Sequence, residues 1–305
     1  MQGDSTVNQL IAIYDNLAKN LDQAITTQSV YFDISKAFDR VWHGGLLLKL
    51  DSIGIHGTLL QWFENYLSDR AQCVVIKGEM SDVKRVSAGV PQGSVLGPLL
   101  FLVYINDIVD NIDSVMKLFA DDTSMSLSTN NTIVRTNTLN ADLDKVAVWA
   151  TKWKVNFNEA KTELVNTKRG NNPVLDLNFN NHTLQNKESH KHLGITLQSN
   201  CRWGEHIESI IRKTTMLINC LPSFKYKLSR KALETMYRSF ILPIFDYADV
   251  IWDNCTDYQS NLLENLHIDA PCTVIGAVRG TSHAKSLRES GFCCLRERQK
   301  ILYFF

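Results

Sequence analysis

Two adjacent carboxylates interrupt an apolar run in KLFADDTSMSL, residues 117–127: Asp121 and Asp122 follow Leu118, Phe119 and Ala120. Aspartate suits a polar turn between strands. A hairpin ending in carboxylates also presents hard oxygen ligands on a rigid support, as a metal site requires. A second acidic pair lies in VYFDISKAFDRVWH, residues 30–43, where Asp33 comes late in an expected strand and Asp39 six residues later. Here too an ordinary role exists, with Asp33 ending an edge strand and Asp39 capping a helix. Between the two acidic segments stands GVPQGSVLGPLL, residues 89–100. Its glycines permit close backbone approach to a ligand, and Gln92 can both donate and accept hydrogen bonds. Acidic ligands for two Mg²⁺ ions plus a wall that positions a nucleotide suit phosphoryl transfer.

The elements that must position these groups can be read from periodicity. Val7, Leu10, Ile11, Tyr14, Leu17, Ala18 and Leu21 predict an amphipathic helix over 5–25, with Asp4 or Ser5 as its cap. QSVYFDIS reads as a short buried strand carrying Asp33, and residues 57–69 as a helix. Residues 71–90 read as two strands around a turn near Gly78, and the Gly-Pro loop opens an apolar helix through Ile108. KLFADDTSMSL then forms a hairpin with its aspartates at the turn. Leu139, Leu143, Val146 and Ala150 mark another helix, and KTELVNT a strand. Beyond residue 197 the patterns are mostly helical, with Pro243 interrupting one long stretch. The predicted class is α+β: an antiparallel sheet backed by helices, then a helical region.

Composition sets the outer bounds. With 305 residues, 44% hydrophobic and 21% charged, the chain is expected to be globular and larger than one ordinary domain. Seven cysteines without a C-x-x-C pair exclude zinc-finger spacing and fit a reducing, intracellular compartment. No segment is long and apolar enough for a membrane span. Residues 1–150 hold 11 Lys and Arg against 17 Asp and Glu, a net −6, and residues 151–305 a net +6. That asymmetry fits an acidic catalytic half and a basic half able to meet a polyanion.

YFDISKAFDRVWH, SAGVPQGSVLGPLLFLVYINDI and FADDTSMSL, in this order and spacing, resemble the reverse transcriptase domain of non-LTR (LINE-type) retrotransposons. VNFNEAKTELV and HKHLGITLQSNCRWGEHI extend the match. The resemblance implies a polymerase palm over residues 1–200 and a helical, thumb-like region over 201–305. It implies two Mg²⁺ ions, with Mn²⁺ as a substitute, on Asp33 and Asp121, assisted by Asp122. Phe38 would lie under the incoming sugar and exclude a 2′-hydroxyl, while Gly89, Pro91, Gln92 and Gly93 would touch the nucleotide and template. Lys161 would serve the leaving pyrophosphate, and Leu193 and Gly194 would grip the primer. The implied partners are an RNA template, a DNA primer and deoxynucleoside triphosphates, with no membrane and with action in the nucleus.

Two further readings complete the expectation. His190 and His192 read as ordinary surface histidines, whereas Trp203, His206, Lys213, Lys225, Lys227, Arg230 and Lys231 supply basic and aromatic character for a nucleic-acid backbone. No Arg or Lys precedes Lys19, so the basic clasp on the triphosphate that the family carries upstream is expected to be absent, as is an endonuclease domain. A fragment of a longer polymerase, impaired in catalysis, is the reading that follows. The alternative is an inactive, polymerase-derived module that binds RNA or primer-template.

Overall fold

The computed structural model describes residues 5–170, 172–276 and 282–302. The chain divides into two compact units: residues 19–190, and residues 1–18 together with 191–305. The sequence puts its break near residue 200. Contacts put it ten residues earlier and assign residues 1–18 to the second unit.

The first unit is built on a five-stranded sheet. Its strand order is Gln185–Lys187, Glu163–Thr167, Thr27–Phe32, Asp122–Ser128, Val115–Phe119. The Thr27–Phe32 strand runs antiparallel to both neighbours, and only the Gln185–Lys187 pairing is parallel. Val30, Phe32, Met125 and Leu164 join one buried cluster with Leu139, Leu143, Val146 and Ala150 of the helix Thr132–Trp153. Those four helical positions fall on one stripe, as their spacing predicts. Leu100, Phe101, Tyr104 and Ile105 of the helix Leu96–Ile105 complete the layer. The α+β class is therefore as expected.

Every residue of the Thr27–Phe32 strand is buried although half are polar. Burial of such groups is tolerable only when each finds a partner. Gln28 accepts from Arg135 Nε at 2.9 Å and donates to the Leu175 carbonyl at 3.2 Å. Thr27 Oγ1 and Ser128 Oγ lie 2.9 Å apart. Beside the sheet, residues 71–86 form nested two-residue strand pairs around the turn at Gly78.

The second unit is mainly helical. Ser5 Oγ accepts from the Asn8 N–H and opens the helix Thr6–Asp22, while Asp4 lies outside the described residues. The stretch around Pro243 breaks into Arg230–Met236, a wide π-type turn Tyr237–Ile241 and Leu242–Asp246. Proline has no N–H to donate and crowds the preceding turn, so the ladder loosens before it. Among the described residues no helix is long and apolar enough to cross a membrane, and all seven cysteines are free.

Candidate active site

The ladder of the central strand positions the acidic groups. Tyr31 pairs with Ser124 and Phe32 with Thr123. One step further in that register sets Asp33 opposite Asp122. Side chains alternate along a strand, and Val30, Phe32 and Met125 point into the core. Asp33 and Asp122 therefore share the opposite face with Tyr31 and Ser124. Asp121 sits with Ala120, at φ +52°, in the two-residue turn between the paired residues Phe119 and Asp122.

Asp33 lies one residue past the strand rather than within it, and a second segment clamps it there. The Asp33 carbonyl accepts from the Asn158 N–H at 2.8 Å, and Ile34 bridges to Phe157. The Asp33 N–H points to Thr162 Oγ1 at 3.5 Å. Lys161 belongs to this clamp: its N–H donates to the Asn158 carbonyl at 3.1 Å, and its side chain is exposed.

Electrostatically the tip is under tension. Asp122 is exposed, yet dense surrounding protein pushes its carboxyl above the usual range, the Asp121 charge adds to that push, and His190 opposes it. A divalent cation would relieve such repulsion. Among the described residues no three His, Cys, Asp or Glu side chains form a group that could hold a metal ion. Mg²⁺ takes only one or two carboxylates and completes its shell with water and substrate phosphates, so an open pair of aspartates fits it.

The Gly-Pro loop at residues 89–93 is stitched to the segment that follows Asp33. Gly89 N–H donates to the Val41 carbonyl and Val90 N–H to the Phe38 carbonyl, each at 2.8 Å. Gly89 has φ +92°, and a Cβ there would stand 2.6 Å from the Asp39 carbonyl oxygen, so only glycine fits. His43 Nε2 lies 2.8 Å from the Gly89 carbonyl, and Gln92 Nε2 donates to Asp39 Oδ1 at 2.9 Å. Phe38 is half-buried and stacks on Phe101 with ring centroids 4.6 Å apart. Gly89, Pro91 and Gln92 line a cleft of about 730 Å³ with Lys36, Arg40 and Arg70, whereas Gly93 is exposed just beyond it.

Leu193 and Gly194 belong to the other unit. They form the turn between Ser189–His192 and Ile195–Gln198, at φ +45° and +86°. Tyr247 Oη donates to the Leu193 carbonyl at 2.7 Å. The surface reading of the two histidines is corrected. His192 is 1% exposed, and His190 stacks on Tyr31 at 4.0 Å with its Nδ1 2.7 Å from Glu163 Oε2. Trp203 and His206 are likewise core residues rather than contact surface. They pack near Trp252, and burial pulls the His206 imidazole down to about 4, with Lys213 and Lys191 adding to it. Lys213, Lys227, Arg230 and Lys231 are exposed, Lys225 is partly so, and Tyr226 stands 92% exposed among them.

Several residues gain a role only in three dimensions. Asp39, His43 and the three cations of the cleft are held against residues about 30 to 50 positions away. Apart from Arg70, which lies outside it, their only sequence signal is membership of the DISKAFDRVWH segment.

Comparison with known proteins identifies the family of the chain. The family model described as reverse transcriptase (RNA-dependent DNA polymerase) matches residues 3–197. The RNA-directed DNA polymerase from mobile element jockey of Drosophila melanogaster is 29% identical over 79% of this chain and 28% of its own length. The probable RNA-directed DNA polymerase from transposon BS of the same fly is 28% identical over 94% of this chain and 33% of its own. A solved telomerase from Candida albicans, in complex with a fragment of telomeric RNA, covers 92% of this chain and 53% of that one at 11% identity, with a TM-score of 0.47. The chain thus spans about a third of the length of the curated relatives it matches. It belongs to the reverse transcriptase (RNA-dependent DNA polymerase) family.

Proposed function

We propose that this chain is the palm and adjoining helical part of a retrotransposon RNA-directed DNA polymerase, adding deoxynucleotides to a DNA primer 3′-hydroxyl on an RNA template. The observation that carries this reading is the register that ends with Phe32 opposite Thr123, whose next step would bring Asp33 to Asp122 beside Asp121, in a chain whose family is that of reverse transcriptases. Asp33 and Asp121 would hold divalent cations, Mg²⁺ or Mn²⁺, with Asp122 as a neighbouring carboxylate that assists. When bound, such ions supply polarisation of the attacking hydroxyl and neutralisation of the departing pyrophosphate.

The remaining work falls to the protein's own groups. Phe38, stacked on Phe101, presents a ring with little freedom to yield, which supports exclusion of a ribose 2′-hydroxyl. Lys36, Arg40 and Arg70 give the cleft a positive wall for phosphates, and Lys161 adds a cation on the clamp beside Asp33. In the second unit, Leu193 and Gly194 offer a rigid turn for the primer strand. Tyr226 between Lys225 and Lys227 suits stacking and phosphate contact.

Primer extension on an RNA template with Mg²⁺ and deoxynucleotides tests the proposal. Incorporation by the chain that disappears in Asp121→Ala supports it. Salt-dependent binding of primer-template without incorporation favours the binding-module alternative. Incorporation that survives Asp121→Ala overturns the assignment.

A further inference from the structure

Gln92 lines the cleft beside the residues that follow Asp33, as does a second amide, Gln72, and carries two kinds of polar atom, so its orientation decides what its side of the wall offers. An ionised carboxylate only accepts hydrogen bonds. Because Asp39 Oδ1 lies 2.9 Å from the Gln92 amide, the group turned to Asp39 must be Nε2–H, and Oε1 is left facing away from it. Asp39 itself is fixed from behind: its N–H donates to the Lys36 carbonyl at 3.0 Å, and Gly89 packs on its backbone where no Cβ would fit. The Lys36 turn is unusual too, with φ +53° at a non-glycine residue.

We infer that Asp39 is a positioning residue that locks the Gln92 amide so that its carbonyl oxygen is the hydrogen-bond acceptor offered to a nucleotide in the cleft. The inference rests on the polymerase reading for the identity of the ligand, but not for the lock itself. Substituting Asp39 with an apolar residue frees the amide to rotate, so donor and acceptor exchange places. Because Asp39 acts only through Gln92, its loss has no effect once Gln92 is gone.

Two measurements on the 305-residue chain separate the parts of this claim. The first is the ¹⁵N spectrum of the Gln92 side-chain amide, assigned by its disappearance in Gln92→Ala. A shifted, slowly exchanging pair is expected in the wild type and in Asp39→Asn, whose Oδ1 still accepts, and a free-amide signal in Asp39→Leu. The second is equilibrium binding of the template-matched deoxynucleoside triphosphate, with Mg²⁺, to the chain on primer-template. Asp39→Leu should weaken binding roughly tenfold, the scale of one lost hydrogen bond to a charged group. Asp39→Asn should stay near the wild type, and Asp39→Leu/Gln92→Ala should match Gln92→Ala.

A free-amide signal in the wild type overturns the lock, as does an additive loss in the double variant, which would mark Asp39 as merely structural. Nucleotide binding unaffected by Asp39→Leu overturns this inference alone. A locked amide in a wild-type chain that binds no nucleotide overturns the polymerase reading and, with it, the role assigned here to Asp39.

Discussion

Two clusters of charge in the sheet unit are held in opposite ways. At the hairpin tip Asp121 and Asp122 lie side by side and exposed, and the backbone ladder fixes their place without neutralising them. Around Lys49, which is 5% exposed, everything is satisfied. Its ammonium meets Asp107 Oδ1 at 2.5 Å, the Tyr104 carbonyl, and the Trp153 ring at 4.0 Å. Trp149 Nε1 donates to the same Asp107 oxygen. Charge that serves the fold is saturated by protein, whereas charge that serves a ligand is left for the ligand to complete.

The strongest test of that contrast is removal of one charge from each cluster. Asp121→Ala should lower primer extension on the order of 10³-fold or more, the scale of several kcal/mol of lost charge stabilisation. Urea unfolding of the same variant should shift by less than about 0.5 kcal/mol, because the side chain is exposed. Lys49→Met should do the reverse. Leaving Asp107 and a buried carbonyl without their cation costs about 3 kcal/mol, while Lys49→Met/Asp107→Leu recovers a good part of it. A Lys49→Met variant as stable as the wild type would end the distinction.

The helical unit holds a third case, a buried charge that the fold leaves half satisfied. Asp249 is 6% exposed; Oδ1 accepts from the Val250 N–H at 2.9 Å, and Oδ2 has no hydrogen-bond partner among the described residues. Burial pushes its carboxyl up to about 6, with smaller upward pushes from Asp246 and Asp253. The folded state thus holds this proton more tightly than the unfolded chain does, so the group's contribution to stability falls as pH rises from about 4 to about 6 and stays lost above that. A shift of this size corresponds to about 3 kcal/mol. Asp249→Asn should raise stability by about 1–2 kcal/mol at pH 7.5, less than the full amount because the amide brings its own unpaired N–H. The gain should vanish near pH 4. A gain that is equal at both values would show that the carboxylate charge is not its cause.

How much of this was legible in the sequence depends on the distance between partners. The helix Thr132–Trp153 and the hairpin at residues 115–128 announce themselves because their signals are local: a buried stripe in one, two apolar runs around Asp121 and Asp122 in the other. The acidic pair across the sheet became visible only through the family resemblance, since periodicity does not say which strands neighbour each other. QSVYFDIS reads as a buried strand, but what satisfies its polar half could not be read, because the guanidinium that meets Gln28 lies 107 residues away. The same limit hid the role of Asp39, whose partner Gln92 is 53 residues on. It also made His192, Trp203 and His206 look like surface groups, for amphipathic rings serve core and surface alike.

The smallest expected effect sharpens the comparison most, because it asks the two kinds of charge to disagree within one residue. Asp122→Asn keeps the shape of the tip and removes the repulsion from Asp121. Since Asp122 is exposed, solvent screens that repulsion, and the gain in stability should be only about 0.5 kcal/mol, shrinking further in high salt. Extension by the same variant should fall, since an amide is a poorer ligand for a hard cation than a carboxylate. Stability rising while activity falls is what an unsatisfied, ligand-directed charge produces. If Asp122→Asn instead lowers stability, the tip is held together by its own charges after all, and the contrast with Lys49 disappears.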